Sequence, residues 1–301
     1  MKLAIVGLGK MGSQIAIRLQ ESGHKVIGCD VGEASRQRAE ASGIHTAAER
    51  ETAVKWFGDE RPVVWIMIPA GAVAGELQAW LDVLPADSVI IDGGNSDFRD
   101  TKKHAELAGS HNVQFVDVGT SGGIMGITEG FSMMVGGDEP TVTSLDPILD
   151  SLSQPHGAHH YFGPHGAGHY VKMVHNAIEY GMMESLAEGY HILHDGPYAG
   201  LDLAAIAEVW RHGSIINSEL NNLAAAAFRD NPELSGVDGY VAESGEARWT
   251  LEVAKEHDME LPAIQSALDV RLASQSGKIS FATKLLAELR NKFGGHAINK
   301  T

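Results

Sequence analysis

Four residues with chemically useful side chains recur at helical spacing near the middle of the chain. In the segment GAGHYVKMVHNAIEY they occupy positions i, i+3, i+4 and i+7, and they are Lys172, His175, Asn176 and Glu179. This spacing predicts one helical face that carries an amine, an imidazole, an amide and a carboxyl group. A lysine in a partly desolvated environment has a lowered pKa and takes a proton from a hydroxyl whose carbon loses hydride. A carboxylic acid one turn further would return a proton to carbon.

The same face has a plain alternative, because four polar residues on a helix are more often simply solvated. Two features favour the functional interpretation. Gly166 and Gly168 precede the polar residues and allow close backbone approach, and the opposite face is apolar. We therefore expect that opposite face to be buried; it consists of Val171, Val174, Ile178 and Met182.

A glycine-rich loop lies close to the N-terminus. The segment GLGKMG contains Gly7, Gly9 and Gly12, follows the apolar run 2–6 and opens a helix expected to end near Ser22. In a dinucleotide site the first glycine allows the tight turn, the second admits a pyrophosphate, and the third lets helix and strand pack closely. An ordinary glycine turn is the alternative, but the context of strand, turn and helix favours the dinucleotide site.

An acidic residue follows the second apolar run, as a dinucleotide site requires. Asp30 stands directly after residues 25–29 and eighteen residues beyond Gly12. Its carboxylate would bind ribose hydroxyls and repel a 2′-phosphate, which favours NAD over NADP. NADP stays possible, since the Arg36 guanidinium could turn towards such a phosphate. Cys29 is expected to be buried strand filler and not a nucleophile.

Two more glycine segments follow predicted strands. Asn95 lies in DGGNS, just after the run 89–92, where α/β sheets bind ligands at the carboxyl ends of strands; a turn with Asn95 as helix cap is the alternative. Ser121 in TSGG lacks the GxSxG pattern of a nucleophile and is interpreted as part of a cradle for a carboxylate. No metal site is expected, because the histidines between residues 156 and 169 lack a recognised ligand spacing.

Apolar runs predict the elements that position these residues. Short runs alternate with stretches long enough for a helix, which favours a Rossmann-type, doubly wound parallel α/β sheet. The runs cover residues 2–6, 25–29, 63–68, 89–92 and 114–118, and helical patterns follow at 166–194, 201–229 and 260–292. We therefore expect a dinucleotide-binding domain over 1–163 and an all-α domain for substrate binding and dimerisation over 164–301.

Composition narrows the class of protein. The 301 residues are 44% hydrophobic and carry a net charge of −16, which argues against nucleic acid as a partner. A lone cysteine excludes an intrachain disulfide and is typical of the cytoplasm, and no apolar run is long enough for a membrane span. Residues 271–301 hold six basic residues against one acid, which indicates an anionic ligand there.

Taken together, the motifs resemble those of the decarboxylating 6-phosphogluconate dehydrogenases, within the β-hydroxyacid dehydrogenase superfamily. The resemblance covers nearly the whole chain and rests on GLGKMG, IIDGGNS, DVGTSGGIMG, GAGHYVKMVHNAIEY and RNKFGGH. It implies oxidation of 6-phosphogluconate at C3, loss of CO2, and protonation of the enediol to ribulose 5-phosphate, without a metal. The chain is similar to a short form that lacks the second helical half of the long enzymes.

The resemblance also implies roles for individual residues. Lys172 matches the general base and Glu179 the acid that protonates C1 of the enediol, and Asn176 belongs to the same catalytic set. The implied substrate positions are Asn95, Ser121, Gly122, Gly123, His175, Tyr180, Arg248, Thr250, Arg271, Arg290 and His296. The implied cofactor positions are Gly7, Leu8, Gly9, Lys10, Met11, Gly12, Asp30, Pro69 and Asn95.

Oligomeric state and alternative functions follow from the same comparison. In the family, residues matching Arg290 and His296 reach into the neighbouring subunit's site, which implies a homodimer or a dimer of dimers. Arg248 replaces a lysine of the long form, so it keeps the charge but not the geometry. One alternative is a 3-hydroxyisobutyrate-type dehydrogenase, which needs neither a phosphate site nor an acid such as Glu179. The other is a catalytically silent dinucleotide-binding protein.

Overall fold

A computed structural model describes residues 1–198 and 200–295. The chain divides into two compact units, Met1–Met173 and Val174–Thr301. The expected domain boundary between residues 163 and 164 stays a prediction. Within the described ranges, no helix is both long enough and apolar enough to cross a membrane.

The first unit is built on an eight-stranded sheet with the order β3-β2-β1-β4-β5-β6-β7-β8. Its strands are β1 (Lys2–Val6), β2 (Lys25–Cys29), β3 (His45–Ala47), β4 (Val63–Ile66), β5 (Val89–Asp92), β6 (Gln114–Ser121), β7 (Ser132–Gly137) and β8 (Ala158–Gly163). Neighbouring strands pair in parallel, except that β7 runs antiparallel to β6. This topology confirms the predicted doubly wound sheet of the Rossmann type.

Helices surround this sheet, which explains why its central strands read as continuous apolar runs. All four residues of β4 and of β5 are buried, as expected for strands that helices cover on both faces. The helices are α1 (Lys10–Glu21), α2 (Glu33–Ala41), α3 (Arg50–Phe57), α4 (Ala70–Leu81), α5 (Phe98–Ser110), α6 (Gly126–Glu129), α7 (Glu139–Thr143) and α8 (Asp146–Ser153). A 3₁₀ turn, Gly123–Met125, precedes α6.

Three strands were not predicted, because none has a sustained apolar run. β3 is only three residues long, and β7 ends in two glycines. β8 reads AHHYFG and alternates exposed with half-buried residues, as an edge strand with one covered face does. These strands extend the sheet at its two edges and leave its predicted centre unchanged.

The second unit confirms the predicted all-α architecture. Its helices are α9 (Ala167–Asp195), whose first residues belong to the first unit, α10 (Leu203–Trp210), α11 (Glu219–Asp230), α12 (Glu246–Glu256), α13 (Pro262–Gln275) and α14 (Phe281–Gly294). Tyr190 of α9, Phe228 of α11 and Leu286 of α14 are fully buried in one hydrophobic cluster.

The prediction that the apolar face of α9 is buried was wrong. Ile178 and Met182, expected in the core, are 52% and 49% exposed, and Val171 and Val174 are only half-buried. The polar Lys172 is instead 6% exposed. Apolar spacing on a helix cannot distinguish a face in the core from a face that another molecule could cover. The polar face of α9 is partly buried instead, because its residues have partners within the chain.

Candidate functional site

The three glycines of the first loop differ in their surroundings as the motif requires. Gly7 has a φ of 92°, and a Cβ there would lie 2.5 Å from the Met67 carbonyl oxygen. A Cβ at Gly12 would overlap with the Gly7 carbonyl group, whereas a Cβ at Gly9 would meet nothing within 4 Å. The backbone of Gly9 therefore faces open space at the N-terminus of α1, where a pyrophosphate would find helix amides.

Asp30, at the carboxyl end of β2, is fixed by backbone donors. The Leu8 amide donates to Asp30 Oδ2 and the Gly32 amide to Oδ1, each at 2.7 Å. Arg36 Nη1 donates to the carbonyl oxygens of Asp30 at 2.6 Å and of Val31 at 3.2 Å. The carboxylate thus stands beside the glycine loop, while the Arg36 guanidinium is engaged with the backbone.

The other cofactor positions flank this loop. Lys10 and Met11 form the start of α1, and Pro69 immediately precedes α4.

Cys29 is buried in β2, and burial raises the pKa of its thiol to about 12. The burial confirms that Cys29 is strand filler, and a raised pKa disfavours the thiolate that a nucleophile needs.

The loop after β5 is organised by a buried carboxylate. Asp92 is fully buried and accepts hydrogen bonds from the Gly94 amide at 3.1 Å and from Ser96 Oγ at 2.7 Å. Asn95 between them is exposed. The cap of α5 is Asp97, whose side chain accepts from the Arg99 amide, so the alternative of Asn95 as helix cap does not hold.

Lys172 of α9 packs against strand β6, close to Ser121 at the end of that strand. Ser121 is the last residue of β6, and the following Gly122 and Gly123 have φ values of 133° and 52°, which favour glycine. Lys172 is 6% exposed. A Cβ on Gly119 would overlap with the Lys172 Cβ, so the lysine stem lies directly against β6, two residues before Ser121.

The histidines before α9 make separate contacts. His159 Nε2 lies 2.9 Å from Asp150 Oδ1, His165 Nε2 lies 3.0 Å from the Phe115 carbonyl oxygen, and His169 Nδ1 lies 2.7 Å from Thr101 Oγ1. In the part of the chain that the structure describes, no three metal-binding side chains form a group.

Within the second unit, two arginines gather around Tyr180. The Arg271 guanidinium carbon lies 3.3 Å from the centroid of the Tyr180 ring. Arg271 is 1% exposed and Arg290 is 7% exposed. Burial lowers the pKa of both arginines, that of Arg271 to about 10, and the Arg290 charge also lowers the pKa of Arg271. Arg271 Nε has no hydrogen-bond partner among the described residues. Buried guanidinium groups of this kind suit a multiply charged anion.

Asn176 and its neighbours on α9 form a polar group with α12. Asn176 Nδ2 donates to Glu246 Oε1 at 2.8 Å, and its Oδ1 lies 2.9 Å from His175 Nδ1. That same histidine nitrogen is 4.0 Å from Glu179 Oε2. Thr250 Oγ1 donates to the Glu246 carbonyl oxygen at 2.8 Å. The predicted polar face of α9 is therefore linked to α12 through Glu246, which is 1% exposed.

One implied substrate ligand, Arg248, is already paired with a carboxylate. Arg248 forms an ion pair with Glu243, which raises the pKa of this arginine, and its side chain is 49% exposed. A phosphate would have to compete with Glu243 for it. His296 lies outside the described residues.

Sequence reasoning missed three buried carboxyl groups, those of Asp117, Glu184 and Glu246, which are 0%, 6% and 1% exposed. Asp117 had a signal, because an acidic residue interrupts the otherwise apolar start of β6. Glu184 and Glu246 had none, since an acidic residue is ordinary on a helix surface.

Comparisons with known proteins agree with this arrangement. The family model described as the NAD binding domain of 6-phosphogluconate dehydrogenase matches residues 2–163, and the one described as its C-terminal domain matches 168–301. The NAD(+)-dependent, decarboxylating 6-phosphogluconate dehydrogenase of Haloferax volcanii is 36% identical over 300 residues, 99% of this chain and 98% of the relative.

Solved structures share the fold. A structure of Plasmodium falciparum 6-phosphogluconate dehydrogenase is similar with a TM-score of 0.76 at 26% identity, over 92% of this chain and 63% of that one. The 3-hydroxyisobutyrate dehydrogenase of Salmonella typhimurium gives a TM-score of 0.74 at 19% identity, over 95% and 99% of the two chains, which shows a common fold alone.

The sheet, the glycine loop and the helical unit define a protein with a Rossmann-type dinucleotide-binding domain followed by a helical domain. Within that class, the two family models together cover almost the whole chain. The chain belongs to the 6-phosphogluconate dehydrogenase family, and the family predicted from its motifs is confirmed.

Proposed function

We propose that this protein oxidatively decarboxylates 6-phosphogluconate to ribulose 5-phosphate and CO2. The placement of Lys172 carries the proposal: it is 6% exposed, and its stem lies against Gly119, next to the turn that follows Ser121. A buried amine beside that turn is suited to take a hydroxyl proton from a substrate whose carboxylate the turn holds. The relative from Haloferax volcanii, whose name states this activity, supports the same reaction.

The reaction assigns one proton transfer to each end of the polar face of α9. Lys172 takes the C3 hydroxyl proton while hydride leaves C3, for which bound NAD supplies the acceptor. The resulting C3 carbonyl takes up the electron pair of the breaking C1–C2 bond as CO2 leaves, and Lys172 returns its proton to that oxygen. Glu179, seven residues further along α9, then protonates the former C2 carbon while Lys172 takes the enol proton back from the C3 oxygen, which leaves the ketone of ribulose 5-phosphate. Asn176 holds a substrate hydroxyl beside them.

The group around Tyr180 is proposed to hold the phosphate. A phosphate dianion needs several donors, and Arg271 and Arg290 are buried cations within range of each other's charge. Within the described ranges, Arg271 Nε has no hydrogen-bond partner, which supports a ligand that accepts from it. A 3-hydroxyisobutyrate-type reaction gives no use to these arginines, so it is not favoured.

The residues of the first loop fit a dinucleotide, and we assign a preference for NAD. The Asp30 carboxylate stands 2.7 Å from the Leu8 amide of the loop, where it would meet the 2′-phosphate of NADP with like charge. Arg36 does not offset this repulsion while it donates to backbone carbonyl groups. Asp30→Ser should raise the ratio of kcat/KM with NADP to kcat/KM with NAD at least tenfold; an unchanged ratio would refute the assignment.

A homodimer, or a dimer of such dimers, accounts for the exposed apolar face of α9. Ile178, Met182 and Ile192 are 52%, 49% and 67% exposed in the single chain. The resemblance implies that both Arg290 and His296 complete the neighbour's site. We keep that role for the tail containing His296, but because Arg290 is 7% exposed within its own unit, we infer instead that this arginine serves its own site.

Mixing inactive variants tests this division. Lys172→Ala mixed with His296→Ala should regain activity after subunit exchange, because each hybrid keeps one complete site. Lys172→Ala mixed with Arg290→Ala should regain none. Restoration by the second mixture would show that Arg290 is donated between subunits.

One coupled measurement tests the reaction itself. The purified protein is mixed with 6-phosphogluconate and either NAD or NADP, and reduced nicotinamide and CO2 are followed together. Equal yields of both products are expected, with faster turnover on NAD. Reduced nicotinamide without CO2 would indicate a simple hydroxyacid dehydrogenase, and no product with either cofactor would indicate a silent binding protein.

A further inference from the structure

A buried carboxylate in β6 caps the helix that carries Lys172. Asp117 is fully buried, and its Oδ1 accepts from the Gly166 amide at 2.8 Å while its Oδ2 accepts from the His169 amide at 2.9 Å. The first amides of a helix lack partners within the helix, and a carboxylate there also opposes the positive end of the helix dipole. Asp117 therefore fixes the first turn of α9, three residues before Lys172.

Glycines around Asp117 leave the helix little room to move. A Cβ at Gly136 would lie 2.7 Å from both Asp117 carboxylate oxygens, and a Cβ at Gly168 would lie 2.8 Å from the Asp117 carbonyl oxygen. The helix thus packs against the backbone of β6 and β7 without intervening side chains. Packing of this closeness fixes the height of the helix above the strands.

One face of β6 then links the cap to the site. Side chains alternate along a strand, so Asp117, Gly119 and Ser121 lie on the same face. Asp117 holds the helix start, Gly119 receives the stem of Lys172, and Ser121 ends the strand at the glycine turn. Contacts with the single strand β6 therefore fix the position of Lys172 relative to that turn.

We propose that Asp117 is a positioning residue for the proton transfers of Lys172. This inference rests on the proposed function. It means that the Asp117 carboxylate affects kcat, which an ordinary helix cap does not. Displacement of a catalytic group by about 1 Å lowers rates by about 10²-fold. Substrate binding depends on other groups, so KM for 6-phosphogluconate should change much less.

The test compares Asp117→Asn with a matched cap in the same unit. Asp138 caps α7 by accepting from the Thr141 amide at 3.1 Å and from its Oγ1 at 2.8 Å, so both of these hydrogen bonds hold α7 and not α9. Asp117→Asn should lower kcat by about 10²-fold, change KM for 6-phosphogluconate less than threefold and leave NAD binding intact. It should also raise the kinetic isotope effect on kcat with 3-deuterated substrate, because oxidation becomes the slow step. Asp138→Asn should change none of these.

A second variant covers the case in which Asp117→Asn does not fold. Gly119→Ala keeps the cap but pushes the Lys172 stem away from β6, so it should give the same loss of kcat and the same rise in isotope effect. Wild-type kinetics in either folded variant, or an equal loss in Asp138→Asn, would overturn this inference alone. A wild-type protein that does not oxidise 6-phosphogluconate would overturn the proposed function, and the inference with it.

Discussion

Replacement of Glu184 by glutamine should remove part of the pH dependence of the protein's stability. Glu184 lies on α9, is 6% exposed, and has no hydrogen-bond partner for Oε2 among the described residues. Burial is the main cause that raises the pKa of its carboxyl group from 4.5 to about 7; the Glu188 charge adds to this rise and the Arg271 charge opposes it. The folded protein therefore binds a proton that the unfolded chain releases.

The sign and size of the effect follow from that difference. Between pH 4.5 and 7 the folded state holds more protons at this position than the unfolded state, so stability falls as pH rises and is then constant above about pH 7. At about 1.4 kcal/mol for each pH unit, the loss between pH 5 and pH 8 is about 2.5 kcal/mol. Glu184→Gln has no such loss, so its stability relative to wild type should rise by this amount.

Guanidinium chloride unfolding at pH 5 and pH 8, followed by circular dichroism, measures the effect. A buried amide has a cost of its own, but that cost does not depend on pH and cancels when the difference between variant and wild type is compared at the two pH values. Glu260→Gln is the control, since Glu260 is exposed and its charge is not among those that shift the pKa of Glu184. A relative gain for Glu184→Gln below about 0.5 kcal/mol, or an equal gain in the control, would refute the reasoning.

Three further predictions concern activity. Lys172→Ala should abolish oxidation of 6-phosphogluconate and leave the Kd for NAD, measured by nucleotide fluorescence, within about threefold of wild type; retained turnover would remove the lysine from the mechanism. Glu179→Gln should lower kcat by about 10² to 10⁴-fold and slow exchange of solvent deuterium into ribulose 5-phosphate, and an unchanged exchange rate would assign the acid elsewhere. Arg271→Lys should raise KM for 6-phosphogluconate at least tenfold, because lysine lacks the planar group that stacks on Tyr180, and an unchanged KM would place the phosphate elsewhere.

The centre of the first unit was predictable because its signals are local. Strands covered on both faces must be apolar throughout, and β1, β2, β4, β5 and the start of β6 read that way. The glycine loop was predictable for a similar reason, since its spacing records steric demands within six residues. The edge strands β3 and β8 are covered less and carry no such requirement, and β7, which lies between β6 and β8, has a short apolar run that ends in two glycines.

The two faces of α9 show where local signals end. Its polar residues are partly buried because their partners lie far along the chain: Asn176 meets Glu246, and Tyr180 meets Arg271. No pattern within the helix distinguishes a polar face that has such partners from one that faces water. The corresponding signal was present in β6, where Asp117 interrupts an apolar strand and a buried charge there requires donors. A charged residue inside a buried strand is thus a stronger indication of a functional role than four polar residues on a helix, because only in the strand does the sequence itself establish burial.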